Sequence, residues 1–280
     1  MTIFTTEVIS SGTIFDFDTE GTNLIVTSNG GVYGTGGVDV VTGTESYSYV
    51  NVSGEIVSSS GNAVDLSGDH ASVTIGESGS LLSTAVAMNL SGEGFLVNNA
   101  GAISGRWGIT AYGGSGTINN TGTIVGTSTG DYYYYEAGIY LIDSGNDSIN
   151  STYVVNNSGI ITGYDYAIYA GEYSYGSYFA SDTTVNNSGL LIGGGLGAVL
   201  LGLGNDEMVN TGTVIGDIDM GGDADLFDGR GGVVDGDVLG GTGDDECAVQ
   251  CKLCPSRIHP GHNKLGQKRK KEDRDLRIQQ

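Results

Sequence analysis

Short runs of alternating apolar and polar residues, each closed by glycine, recur along most of this chain. The clearest unit places an apolar residue before two asparagines, a small residue, Gly, a further apolar stretch and Gly. It reads Val97-Asn98-Asn99-Ala100-Gly101-Ala102-Ile103-Ser104-Gly105 and returns as Ile118-Asn119-Asn120-Thr121-Gly122-Thr123-Ile124-Val125-Gly126. Further copies run from Val155 to Gly163, from Val185 to Gly193 and from Val209 to Gly216, with weaker ones at Val52–Ile56 and Ser78–Leu81. A second apolar beat follows each unit, at Ile109, Ile139, Ile168 and Val199. Apolar runs this short, bounded by glycine and rich in Val, Ile, Leu and Tyr, predict strands rather than helices.

Repeats of this size predict a solenoid, in which each copy is one coil and buries its apolar face only against its neighbours. The expected fold is all-β: a right-handed parallel β-helix with coils of about 20 residues. Asn99, Asn120, Asn157, Asn187 and Asn210 share one repeat position, which predicts a hydrogen-bonded asparagine ladder along the stack. Residues 1–96 carry looser repeats and read as an irregular, capping part. Residues 97–246 read as the regular solenoid, interrupted by Tyr-rich inserts at Asp131–Glu136, Tyr153 and Glu172–Tyr178.

Composition agrees with a turn-rich β chain: 50 of 280 residues are glycine, only two are proline, and apolar residues make up 38%. No run reaches the roughly 18 apolar residues of a membrane helix, so no membrane span is expected. The N-terminus, Met1-Thr2-Ile3-Phe4-Thr5-Thr6-Glu7, lacks the basic start and apolar stretch of a secretory signal peptide.

Charge divides the chain more sharply than hydropathy does. Residues 1–246 hold 30 acidic and two basic side chains, Arg106 and Arg230, a net of −28. Residues 247–280 hold nine basic and three acidic residues, a net of +6, together with all three cysteines and both prolines. That stretch breaks off inside a repeat and reads as a basic, disordered tail, the product of a reading-frame change or an unrelated fused end. Carboxylates about 5 Å apart repel by roughly 3 kcal/mol at an effective dielectric near 20. With almost no Lys or Arg to offset this in the body, a divalent cation is the expected counter-charge. The same balance argues against a nucleic-acid partner.

The candidate site is a set of acidic turns. Leu201-Gly202-Leu203-Gly204-Asn205-Asp206-Glu207-Met208, Met220-Gly221-Gly222-Asp223-Ala224-Asp225-Leu226-Phe227 and Gly240-Gly241-Thr242-Gly243-Asp244-Asp245-Glu246 align with one another. A fourth copy surrounds Asp147. Asp206, Asp225 and Asp245 are spaced by about one coil, so stacking would set them in a row. The alternative reading of these aspartates is as solvated turn residues.

The turns resemble the haemolysin-type, repeats-in-toxin calcium-binding motif, Gly-Gly-x-Gly-x-Asp-x-apolar-x. In this chain Leu201 and Met220 replace the first Gly, Asp223 the third, and Cys247 the large apolar residue. The Asn-Ser-Gly units resemble those of autotransporter-like bacterial β-helices. The resemblance implies Ca²⁺ held by Asp206, Asp225 and Asp245, assisted by Asn205, Asp223 and Asp244, with Asp147 as a further ligand. Oxygen ligands of this kind suit Ca²⁺. It also implies secretion without a signal peptide, by a type I route, and folding in extracellular calcium. The alternative class is a surface adhesin whose solenoid is scaffold and whose partners are cell-surface glycans or proteins.

Other motifs are weaker. Cys251, Cys254, His259 and His262 are metal-type residues at spacings shorter than a zinc finger requires. Tyr132–Tyr135, with Tyr173, Tyr175 and Tyr178, offers aromatic surface for sugars or proteins. The body has no cysteine or lysine and only His70, so no nucleophile–base constellation can be drawn and no enzyme is expected.

Overall fold

In the computed structural model, residues 1–127, 135–142, 151–171 and 181–248 are described. They form three parallel sheets and no helix. The first sheet runs from Thr2–Phe4 to Glu246–Ala248, the second from Glu7–Ser10 to Val233–Asp235, the third from Phe15–Phe17 to Val238–Leu239. Each coil contributes one strand to each sheet in turn, so every strand pairs with its counterpart one coil away. This is a parallel β-solenoid.

The apolar beats become columns. In the first sheet Val97 pairs with Ile118, Ile118 with Val155, Val155 with Val185, Val185 with Met208 and Met208 with Phe227. All are buried. Ile103, Ile124, Ile161, Leu191 and Val214 form the column of the second sheet. Ile109, Ile139, Ile168, Val199 and Ile218 form that of the third. Three inward columns make one continuous core, because side chains alternate between the inner and outer faces along a strand.

Coil length is not uniform. Successive coils advance by 21, 37, 30, 23, 19 and 20 residues from Asn99 and Asp206 onward, and by 26 between Asp16 and Thr42. A period near 20 is therefore kept in the last coils and from Asn99 to Asn120, but not in the coils between. Strand register stays fixed while the corners take up the extra residues. No break falls at residue 96: Ser72–Ile75 pairs with Phe95–Asn99 in the same ladder that begins at Thr2. At the other end the first sheet continues past Glu246, with Cys247 paired to Phe227 in the core column.

The inner asparagine ladder forms as the repeat predicts. Asn99 Nδ2 donates to Asn120 Oδ1, Asn120 to Asn157, Asn157 to Asn187 and Asn187 to Asn210, each at 2.8 Å. The five amides are buried, and this chain of bonds satisfies groups that would be costly to bury alone. A second ladder lies outside it. There Asn119 donates to Asn98, Asn156 to Asn119 and Asn186 to Asn156, so its bonds point toward the opposite end of the solenoid. The glycine after each inner asparagine lets the coils close: a Cβ on Gly122 would lie 2.2 Å from the Gly101 carbonyl oxygen.

Outward residues of the third sheet form an aromatic strip. Tyr140 stacks on Tyr169 with centroids 4.9 Å apart, and Trp107, Tyr112, Tyr135 and Tyr166 surround them. Arg106 lies over the Trp107 ring and bonds to Glu136 at 3.0 Å.

Candidate functional site

The three acidic turns stack in the register their sequences suggest. Leu203 bridges to Gly222, and Gly222 to Thr242. Main-chain bonds stitch the turns together, from Gly222 N to Gly202 O at 2.7 Å and from Thr242 N to Gly221 O at 3.0 Å. Gly202, Gly221 and Gly241 have φ of +85°, +97° and +87°, a left-handed conformation that glycine adopts without strain. Position four of the turn is also left-handed or nearly so, at Gly204, Asp223 and Gly243. Asp223, with φ +80°, is the one non-glycine among these six positions.

This stacking brings Asp206, Asp225 and Asp245 into one column. The Asp206 N–H donates to Asp225 Oδ1 at 2.9 Å, and the Asp225 N–H donates to Asp245 Oδ1 at 3.2 Å. Above them, Thr183 N donates to Asp206 Oδ1 at 2.7 Å. A neighbouring column has the opposite sense: Asn205 N donates to Asp182 Oδ1 at 2.8 Å, and Ala224 N to Asn205 Oδ1 at 3.4 Å. Asp182 is the member of this arrangement that repeat reading passed over. It stands 23 residues before Asn205, one coil earlier, but outside any Gly-rich turn.

Each carboxylate of the first column thus spends one oxygen on a main-chain N–H. The other oxygens, Asp206 Oδ2 and Asp225 Oδ2, are buried and have no hydrogen-bond partner, and neither has Thr183 Oγ1 in the coil before. Asp206 is 2% exposed and Asp225 3%, whereas Asp245, in the last described coil, is exposed. Asp223 and Asp244 are also exposed.

Burial pushes the Asp206 carboxyl up to about 8, against the Thr183 N–H bond that favours its charged form, and Asp225, Asp182 and Asp223 push it the same way. Burial also raises Asp225 to about 7, with Asp245, Asp223 and Asp219 adding to the shift. Among the described residues no cationic side chain bonds to them: Arg106 bonds to Glu136, and Arg230 to Asp228.

Unpartnered carboxylate oxygens are the type of ligand that a hard cation takes. Among the described residues no cluster of three or more His, Cys, Asp or Glu side chains is placed to hold a metal by itself. An ion in this column would take carboxylate oxygens from adjacent coils and complete its shell with carbonyls, Asn205 or water. A mixed shell of six to eight oxygens is calcium chemistry rather than zinc chemistry.

Asp147, the four tail residues Cys251, Cys254, His259 and His262, and the tyrosines at 132–134, 173, 175 and 178 lie outside the described residues. Comparison of the chain with protein-family models, with curated proteins and with solved structures found no match.

Proposed function

We propose that the chain is a non-enzymatic, extracellular calcium-binding β-solenoid, stabilised by ions held along its acidic turn column. One observation carries this reading: three consecutive coils place Thr183 Oγ1, Asp206 Oδ2 and Asp225 Oδ2, all buried and unpartnered, at the same register. Buried oxygens of this kind require a proton, a water or a cation. A site that demands positive charge from solution suits the outside of a cell, where calcium is abundant.

The test is a calcium titration of the full chain after exhaustive chelation, followed by thermal melting. Calcium at about a hundredfold excess over its Kd is expected to raise Tm by about 5–10 °C. Magnesium at the same concentration is expected to do less, because it gives up its water shell reluctantly. The gain should vanish in Asp206→Asn/Asp225→Asn. A melt that calcium leaves unchanged would overturn the reading.

The second reading is an adhesin whose solenoid needs no metal. What favours it is that the core runs through all coils, including those that have no acidic turn. Under this reading the chelated protein keeps its full β signal and its wild-type Tm.

A further inference from the structure

The outer asparagine ladder borders a groove, of about 360 Å³, that crosses four coils at the C-terminal ends of the first sheet's strands. Asn119, Asn156 and Asn186 line it, together with the hydroxyl residues Thr121, Ser188 and Thr211. None of its lining side chains is ionisable.

The hydrogen-bond inventory of the groove is regular. A primary amide has two N–H donors and two acceptor lone pairs. Within the ladder Asn119 and Asn156 each use one of each on their neighbours, at 2.8–3.0 Å. One donor and one acceptor therefore remain at every coil. The hydroxyls of Thr121, Ser188 and Thr211 donate to main-chain carbonyls of the preceding coil, at 3.3–3.4 Å, which leaves their lone pairs as acceptors. The pattern repeats at the strand spacing of about 4.8 Å. It ends where Val209 takes the next place in the column after Asn186.

We propose that this groove binds a neutral, linear polysaccharide lying along the solenoid axis, its hydroxyls paired coil by coil with Asn119, Asn156 and Asn186. A sugar hydroxyl both donates and accepts, as each remaining amide position demands. The coil spacing is close to the advance of one ring in an extended pyranose chain. A peptide strand, at about 3.3 Å per residue, falls out of step within two coils. Anionic polymers are opposed by the −28 charge of residues 1–246. This proposal does not depend on calcium.

The experiment is calorimetric titration of the full chain, in calcium buffer, with hexasaccharides of β-1,4-glucose, β-1,4-mannose, β-1,3-glucose and β-1,4-N-acetylglucosamine. Polygalacturonate and an extended Ser/Asn-rich peptide serve as the charged and peptide probes. At least one neutral hexasaccharide is expected to bind with a millimolar or lower Kd, while neither control binds. The triple variant Asn119→Val/Asn156→Val/Asn186→Val is expected to lose at least tenfold in affinity. Valine suits outward strand positions, and if the triple variant melts early, Asn156→Thr alone is expected to show a smaller loss with an unchanged Tm. Absence of binding by all four neutral sugars overturns the proposal. So does preference for polygalacturonate or the peptide, or affinity unchanged in the variants.

Discussion

The main-chain N–H of Asp206 donates to Oδ1 of Asp225, one coil and 19 residues further on, while Oδ2 of that same buried carboxylate meets no partner. One oxygen is fully used by the fold and the other is left over. The same division holds for Asp206 beneath Thr183. Asp245, at the exposed end of the column, accepts the same kind of bond but with its carboxylate open to solvent.

The metal-free protein should lose stability as pH rises. Asp206 and Asp225 titrate near 8 and 7 in the fold, against about 3.9 in the unfolded chain. Between those values the folded state binds more protons than the unfolded state, so stability falls as pH rises from about 4 to 8. In chelator, Tm is expected to be higher at pH 5 than at pH 8.5, and Asp206→Asn should flatten the slope. A Tm that rises over this range would contradict the placement of these carboxyls.

Asp223 occupies the turn position that glycine holds in the flanking coils, with φ of +80°. Relief of that left-handed backbone should make Asp223→Gly more stable by about 1 kcal/mol in chelator. The same change removes a carboxylate that acts on both Asp206 and Asp225. Calcium affinity is therefore expected to fall while metal-free stability rises. Urea melts with and without calcium give both signs in one experiment.

The two asparagine ladders should respond very differently to substitution. Asn157 bonds to Asn120, Asn187 and the carbonyl of Gly159 while fully buried. Asn157→Ala removes the donor to the buried Asn187 Oδ1 and the side-chain acceptor of Asn120 Nδ2, at a cost of about 1–3 kcal/mol in a urea melt. Asn156→Val, one residue away on the outer ladder, is expected to change stability by less than about 0.5–1 kcal/mol.

Arg106→Ala should be costly despite its place on the flank. Glu136 is 1% exposed, and Arg106 is its cationic partner at 3.0 Å. Loss of the guanidinium takes the cationic partner from a buried carboxylate, a change that costs about 3–5 kcal/mol where an ion pair is buried. Arg106→Ala/Glu136→Gln is expected to recover part of that loss in the same melt.

The solenoid was legible because its period is written in side chains that face inward. Ile109, Ile139, Ile168 and Val199 recur in sequence and stack in space, and so do the five inner asparagines. Residues 1–96 were harder to read because their inward columns use Val, Ile and Leu without the Asn-Asn marker. Their registers are nonetheless as regular. The alignment of the three acidic turns was visible in their glycines. What each carboxylate does was not, because the partner of every Oδ1 is a main-chain N–H, and the backbone carries no sequence signature. Thr183 and Asp182 were missed for a related reason: they belong to the column by register, not by resemblance to a turn.

The two asparagine ladders point in opposite directions. The inner amides hand their N–H groups toward the C-terminal coils, and the outer ones hand theirs toward the N-terminal coils. Each row alone would sum to a growing electric dipole along the axis, as peptide groups do in a helix. Laid side by side and reversed, the rows largely cancel. A further Asn-Asn coil then adds hydrogen bonds without adding voltage between the ends. A chain built this way can lengthen by duplication of a single coil without enlarging the dipole of its asparagine ladders.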